Sequence, residues 1–135
     1  MPFVVDASVA SCWCVPDENS AAAADTAMDR LLHDEAIARG LWTLEITNIL
    51  IISERRGRIS PEETDAFLGD LAQLPIRICR DADDRVLLAL ARKHQLTTYD
   101  ASCVELAVRT GAAVATLDGR LAGAARAEDL EIVGE

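Results

Sequence analysis

The chain has 135 residues, half of them hydrophobic, and 13 basic against 23 acidic residues give it a formal net charge of −10. This length suits a single domain over residues 1–135, and the apolar content excludes a disordered chain. The acidic balance excludes a protein that holds nucleic acid by bulk charge alone, but leaves open a nucleic-acid enzyme that uses metal ions or a protein with a basic partner.

The first half of the chain begins with a short apolar run and then becomes helical. In chain order it predicts a buried strand PFVVD (2–6), a helix over 7–15 stopped by Pro16, an alanine-rich helix from about Asn19 to His33, a strand or loop over 36–39, and an apolar helix from Leu41 to about Arg56 that ends at Gly57.

The second half opens on a helix start, Ser60-Pro61-Glu62-Glu63, in which serine caps and glutamate follows three residues later. That helix is expected to end near Pro75. The elements predicted after it are a strand IRICR (76–80), helices from about Asp81 to His94 and from about Thr98 to Thr110, a strand AAVAT (112–116), a helical turn or short helix from Asp118 to Ala125, and a final strand LEIVG (130–134).

Short β-branched strands therefore alternate with helices, with no linker or repeat between them. This alternation predicts an α/β fold, in which a central parallel sheet of short strands is flanked by helices on both faces.

The apolar runs and the cysteines predict a cytoplasmic protein with no membrane partner. No apolar run reaches the roughly 20 residues that cross a bilayer. The first residues, MPFVVDAS, lack the basic start of a signal peptide. The four cysteines form no Cys-x-x-Cys pair, and neither histidine lies near them in sequence, which argues against a zinc site. We expect them to be core thiols in a reducing compartment.

Two aspartates follow predicted strands. Asp6 comes directly after Phe3-Val4-Val5, and Asp118 comes just beyond AAVAT. Ligands of open α/β sheets bind beyond the carboxyl ends of the strands, where these acids stand. Each position also has a structural explanation, because Asp6 could cap the next helix and Asp118-Gly119 is a common turn pair.

Two further acids lie on predicted helices. Glu45 interrupts LWTLEITNILII, a helix with few faces free for solvent, and Asn48 three residues later shares its face. A buried carboxylate is costly unless it binds metal or pairs with an arginine. Asp100 lies in TTYDASCVELAV and repeats the Asp-Ala-Ser of Asp6, although a capping box starting at Thr97 also explains it. Glu105 is interpreted as an ordinary exposed or bridged glutamate.

Together these four acids could reach one edge of a parallel sheet. Clustered, buried carboxylates repel one another, and Mg²⁺ would relieve that repulsion and suit phosphodiester hydrolysis. Other acidic α/β classes fit less well. A phosphoacceptor receiver needs a lysine after a late strand, whereas Lys93 is helical, and a haloacid-dehalogenase-like phosphatase needs an acid where Ser8 stands. Neither a P-loop nor a dinucleotide glycine fingerprint is present.

The stretches VVDASVA, LWTLEITNIL and LTTYDASCVELAVRTGAAVATLDGRLA, in this order and spacing, resemble the PIN-domain ribonucleases. Among these, the chain is most similar to the VapC toxins of bacterial toxin–antitoxin pairs. The segment DEAIARG departs from the pattern, since proline or alanine often precedes the helix that follows. The resemblance places the family's acids at Asp6, Glu45, Asp100 and Asp118, and its smaller polar residues at Ser8, Asn48 and Thr116.

The resemblance implies an endoribonuclease that depends on Mg²⁺ or Mn²⁺, forms a homodimer and is inhibited by a VapB-type antitoxin. In this interpretation Asp6 and Asp100 are the main metal ligands, and Asp118 completes the site directly or through water. Glu45 holds or deprotonates the attacking water, while the smaller polar residues orient the carboxylates. The alternative is a non-catalytic PIN-like module that clamps RNA or a protein without cutting.

Overall fold

The computed structural model describes residues 1–15 and 21–135. Strands and helices alternate along it, as the sequence predicts. The elements are β1 (Phe3–Val5), α1 (Ala7–Ala10), a 3₁₀ turn (Ser11–Trp13), α2 (Ala21–Arg30), β2 (Ala36–Arg39), α3 (Trp42–Arg55), α4 (Pro61–Leu71), β3 (Ile76–Cys79), α5 (Asp84–His94), α6 (Thr98–Thr110), β4 (Ala113–Ala115) and α7 (Gly119–Ala127).

The four strands form one parallel sheet in the order β3-β2-β1-β4. Phe3 is in register with Ala36 of β2, and Val5 with Ala115 of β4. Because all four strands run the same way, their carboxyl ends meet at one edge of the sheet. The predicted α/β fold with a central parallel sheet is confirmed.

The core lies on both faces of this sheet, because successive strand side chains point to opposite faces. Phe3 and Val5 pack on one face with Ile46 and Leu50 of α3. Val4 and its neighbours on the other face pack with α6 and α7. A strand buried on both faces has no polar alternation, which is why β1 consists of three consecutive apolar residues.

Local signals fix the helix that follows α3. Ser60 accepts a hydrogen bond from the Glu63 amide at 3.1 Å, and Glu63 accepts one from the Ser60 amide at 3.2 Å. Pro61 occupies the first helical position. This reciprocal capping satisfies amides that the helix cannot use, so the predicted helix start is confirmed.

The expected last strand, LEIVG, is wrong. Only one isolated bridge, between Val114 and Ile132, joins it to β4. Asp129 and Gly134 adopt left-handed backbone angles, with φ of 61° and 94°, and turn the chain away on either side of the bridge.

Other boundaries differ by a few residues. The first helix has only four α-helical residues before the 3₁₀ turn, α4 ends before Pro75, and α5 starts at Asp84 because Asp83 caps it. The expected stop at Pro16 and start at Asn19 lie outside the described residues. No helix in the described ranges is long and apolar enough to span a bilayer.

Candidate active site

Asp6 stands at the carboxyl edge of the sheet, directly after β1, and is 6% exposed. One of its oxygens, Oδ2, accepts hydrogen bonds from the Ser8 hydroxyl at 2.6 Å and the Thr116 hydroxyl at 2.9 Å. Its side chain makes no capping hydrogen bond to α1, although it occupies the cap position. Helix capping is therefore the wrong explanation for this aspartate.

Ser8 and Thr116 also tie the end of β1 to the segment after β4. The Leu117 amide donates to Ser8 Oγ at 3.0 Å, and the Asp118 amide donates to Thr116 Oγ1 at 3.1 Å. Each hydroxyl thus accepts from the backbone and donates to Asp6. The orientation of the Asp6 carboxylate is fixed by a residue of α1 and a residue after β4, which meet only in the folded protein.

Glu45 lies in the first turn of α3 and forms an ion pair with Arg39, with Nη2 and Oε2 2.5 Å apart. Its other oxygen, Oε1, is buried without a hydrogen-bond partner among the described residues. Burial raises the pKa of Glu45, and the charges of Asp6 and Asp100 raise it further, while Arg39 opposes them. The expected alternative, a salt bridge to an arginine, is therefore present.

Asp100 lies in the first turn of α6, where its amide donates to the Thr97 hydroxyl at 3.2 Å. Thr97 caps the helix, as the sequence predicts, through a contact that leaves the Asp100 carboxylate free of that role. Burial raises the pKa of this carboxyl, and the charges of Asp118 and Asp6 add to the effect against the opposing charge of Arg39. Asp6 and Asp118 are therefore close enough to Asp100 for their negative charges to repel it.

Asp118 caps α7. Its Oδ1 accepts hydrogen bonds from the amides of Arg120 at 2.9 Å and Leu121 at 3.3 Å. The expected turn is thus a helix N-cap, because the chain continues into nine helical residues. Both bonds use a single carboxylate oxygen, so the role of Asp118 as a ligand stays a prediction.

Sequence reasoning did not identify Arg39 as a site residue. It ends β2, is 4% exposed, and places Nη2 3.9 Å from Asp6 Oδ1. Its Nη1 donates to the Ser102 hydroxyl at 3.1 Å. The only available signals were the expectation of some arginine near Glu45 and the second Asp-Ala-Ser, which carries Ser102.

A cleft of about 820 Å³ opens beside Glu45 and Asp100. Its apolar wall includes Leu44 and Tyr99, which are 66% and 62% exposed. The expectation that few faces of α3 are free is therefore wrong for this outer face. Asn48 lines the same cleft, but no hydrogen bond to the acids is among its described contacts.

The donor chemistry of the site fits a hard divalent ion. All four acids offer oxygen, and Glu45 keeps a buried oxygen without a partner among the described residues. The Cys103 thiol lies 4.0 Å from Asp6, but burial raises its pKa, so it stays protonated and is a poor ligand. In the described part of the chain, no three acids, cysteines or histidines are close enough to form a ready-made metal cage.

A parallel α/β sheet with acids along its carboxyl edge defines the class of this protein: the chain belongs to the PIN domain family, which matches residues 3–127. The predicted resemblance is confirmed. The chain is 34% identical over 125 residues to Ribonuclease VapC3 of Pyrobaculum aerophilum, covering 90% of this chain and 93% of that protein. It also shares its fold with a solved structure, "Crystal structure of PAE2754 from Pyrobaculum aerophilum", at 22% identity and a TM-score of 0.71, covering 92% of this chain and 79% of the other.

Proposed function

We propose that this protein is a metal-dependent endoribonuclease and the toxin of a VapBC-type toxin–antitoxin pair. The observation that carries the proposal is the Asp6 carboxylate, which occupies a cap position without capping and is held at the sheet edge by Ser8 and Thr116. A folded chain that needed only a cap would not orient the carboxylate this way. The similarity to a VapC ribonuclease supports the same reaction.

Asp6 and Asp100 would hold Mg²⁺ or Mn²⁺, and Asp118 would complete the site directly or through water. Once bound, the ion supplies positive charge for the phosphate and favours ionisation of the attacking water. The residues of the chain supply the orientation. Ser8 and Thr116 donate to Oδ2 of Asp6, whereas Oδ1 lies 3.9 Å from Arg39 Nη2 and 4.0 Å from the Cys103 thiol.

Glu45 would accept the proton of the attacking water. Its pKa is raised by burial, which brings a carboxylate closer to the range that suits a general base. Oε2 pairs with Arg39, and Oε1, which has no hydrogen-bond partner among the described residues, would be the oxygen that takes the proton. Attack of water on phosphorus would leave a 5′-phosphate and a 3′-hydroxyl.

The test is cleavage of structured RNAs with Mg²⁺, Mn²⁺ or EDTA, followed by mapping of the product ends. Asp6→Asn should fold and lose cleavage by at least about 10²-fold, because it removes charge and keeps shape. Asp83→Asn is the matched control, since Asp83 caps α5 through the amides of Arg85 and Val86 and neither lines the cleft nor takes part in any described contact of the four acids. EDTA-resistant cleavage, 2′,3′-cyclic phosphate ends or full activity in Asp6→Asn would contradict the proposal, and RNA binding without cleavage would favour the non-catalytic module.

The partner would be a VapB-type antitoxin met in the cytoplasm, and the toxin would form a homodimer. The cleft supports the first expectation, because exposed Leu44 and Tyr99 adjoin Glu45 and Asp100. Apolar surface beside carboxylates suits a segment that is both apolar and basic.

The candidate antitoxin is the small protein encoded beside this gene. Leu44→Glu should weaken its binding, whereas Leu32→Glu should not, because Leu32 is 78% exposed and does not line the cleft. Equal binding by both variants would place the antitoxin elsewhere. Sedimentation of the protein alone tests the homodimer.

A further inference from the structure

Arg39 has a position that the proposed chemistry does not require. Its side chain is 5% exposed, against 33% for the side chain of Glu45, so it lies on the interior side of the acids. Of the basic side chains in the described ranges, only this one is within ion-pair distance of Asp6 or Glu45. A charge so deeply buried needs partners, and here the partners are the acids of the site.

The guanidinium group of Arg39 joins three elements at the carboxyl edge of the sheet. Nη2 lies 2.5 Å from Glu45 Oε2 on α3 and 3.9 Å from Asp6 Oδ1 after β1. Nη1 lies 3.1 Å from Ser102 Oγ on α6. One rigid cation thus keeps two carboxylates together that would otherwise repel each other.

This arrangement is incomplete as a structural ion pair. Arg39 Nε and Glu45 Oε1 are both buried without a hydrogen-bond partner among the described residues. Leaving a buried donor and a buried acceptor unsatisfied costs folding free energy. An ion pair selected for stability alone would satisfy both, and the unpaired acceptor, Glu45 Oε1, is an oxygen that a second cation could bind.

We propose that Arg39 is a built-in counter-ion, which neutralises Asp6 and Glu45 when no metal is bound and competes with the divalent ion for them. The inference rests on the proposed function, because it takes these acids to bind metal. Arg39 is a positioning residue in this scheme, since it acts through the two carboxylates. Two cations that share the same carboxylates repel each other, so Arg39 lowers the affinity of the site for metal.

The first experiment measures Mn²⁺ binding by calorimetry and the melting temperature in EDTA. Arg39→Gln removes the charge and keeps a donor. It should bind Mn²⁺ at least about tenfold more tightly and melt at a lower temperature without metal. Arg39→Lys keeps the charge and should stay within about threefold of the parent Kd. Arg109→Gln is the matched control, because Arg109 lies about two turns along α6 from Ser102, and its Kd should be unchanged.

The second experiment needs no stable Arg39→Gln variant. The Nε–Hε resonance of Arg39 in the parent protein is assigned as the one missing from Arg39→Lys. Added Mg²⁺ should shift it over the concentration range that raises the melting temperature. A resonance indifferent to Mg²⁺, or a folded Arg39→Gln that binds Mn²⁺ no more tightly than the parent, would overturn the counter-ion. A parent protein that binds no metal would instead overturn the metal site of the proposed function, and the counter-ion with it.

Discussion

Among the described ion pairs, the glutamate–arginine pairs of Glu105 with Arg109 and of Glu45 with Arg39 are opposite in quality. Glu105 is 2% exposed, and both its oxygens accept from Arg109 one helical turn away, at 2.8 and 3.3 Å. Glu45 uses one oxygen for Arg39, leaves the other without a partner among the described residues, and shares its arginine with Asp6. The first pair is complete within one helix, whereas the second is assembled from β1, β2 and α3 and is unfinished.

The difference is the one expected between a stabilising ion pair and a ligand site. A complete bidentate pair satisfies a buried charge and leaves nothing for a ligand. An incomplete pair leaves a buried carboxylate oxygen unpaired, which costs folding free energy and leaves that oxygen able to bind a proton or a cation. Sequence reasoning interpreted Glu105 as an ordinary exposed or bridged glutamate and predicted Glu45 as a site residue. The structure shows that Glu105 is buried and bridged by Arg109, whereas the role of Glu45 in the site stays a prediction.

Substitution of the two glutamates should separate their roles most clearly. Glu45→Gln should lower cleavage by about 10²–10⁴-fold with little loss of stability, because glutamine still accepts from Arg39. Glu105→Gln should leave cleavage per folded molecule within about twofold and lower only stability. Cleavage rates normalised to folded protein test this, and equal losses in both variants would contradict the distinction.

Removal of Arg109 should give the largest loss of stability. Arg109→Met keeps the aliphatic stem and leaves Glu105 buried without its cation, at a cost of about 3 kcal/mol. The reverse change, Glu105→Gln, should cost less, because the Arg109 side chain is 39% exposed and water can solvate it. Urea unfolding of both variants measures the order, and a greater loss in Glu105→Gln would show that Glu105 has another partner.

Three further arginines can be compared with Arg39 and Arg109, because they lie at or just after the carboxyl end of α3, the helix that carries Glu45. Arg55, Arg56 and Arg58 are exposed and take part in none of the ion pairs found in the described ranges. If they bind RNA, replacing all three with glutamine should reduce the slope of log affinity against log salt by about 0.7 for each phosphate that is no longer neutralised.

The alternative role for these three arginines is stabilisation of the carboxyl end of α3 by positive charge. Arg92→Gln, in the last turn of α5, is the control for such an effect. An unchanged salt slope in the triple variant, with a loss of stability like that of the control, would leave only the helix-end role.

Asp100→Asn should have the smallest effect on the stability of the metal-free protein, and that effect should depend on pH. The pKa of Asp100 is raised in the folded protein, first by burial and then by Asp118 and Asp6. Above the unfolded value of about 3.9, the folded state therefore binds more protons, and the free energy of unfolding falls as pH rises through this window. Without metal, the variant should be slightly more stable than the parent at pH 7 and match it near pH 3.

Melting curves in EDTA at both pH values provide the measurement. A difference of the same size at pH 3 and pH 7 would show that the substitution acts through packing or capping rather than through charge. Added Mn²⁺ should raise the melting temperature of the parent and do so far less in Asp100→Asn.

Much of the fold could be predicted from the sequence, because many strands and helix ends are indicated by patterns of only a few neighbouring residues. The run Phe3-Val4-Val5 indicates a strand buried on both faces, and the Ser60 box indicates a helix start, each within a few residues. The same locality placed Asp6 and Asp118 just beyond strands. The last strand failed because a single bridge depends on how the chain turns at Asp129 and Gly134, which neighbouring residues do not specify.

The sequence by itself determined which acids stand at strand ends and helix starts, since this depends only on residue order. The tertiary structure decided what those acids contact. Ser8 and Thr116 meet at Asp6 because β4 pairs with β1. Thr116 is 110 residues from Asp6 in the sequence, so only the folded chain brings the two together. Arg39 reaches Asp6 because β2 lies beside β1, and no residue near Asp6 in the sequence points to this arginine. Strand order is set by the burial of whole faces, so no local pattern reveals which cation a buried carboxylate will have.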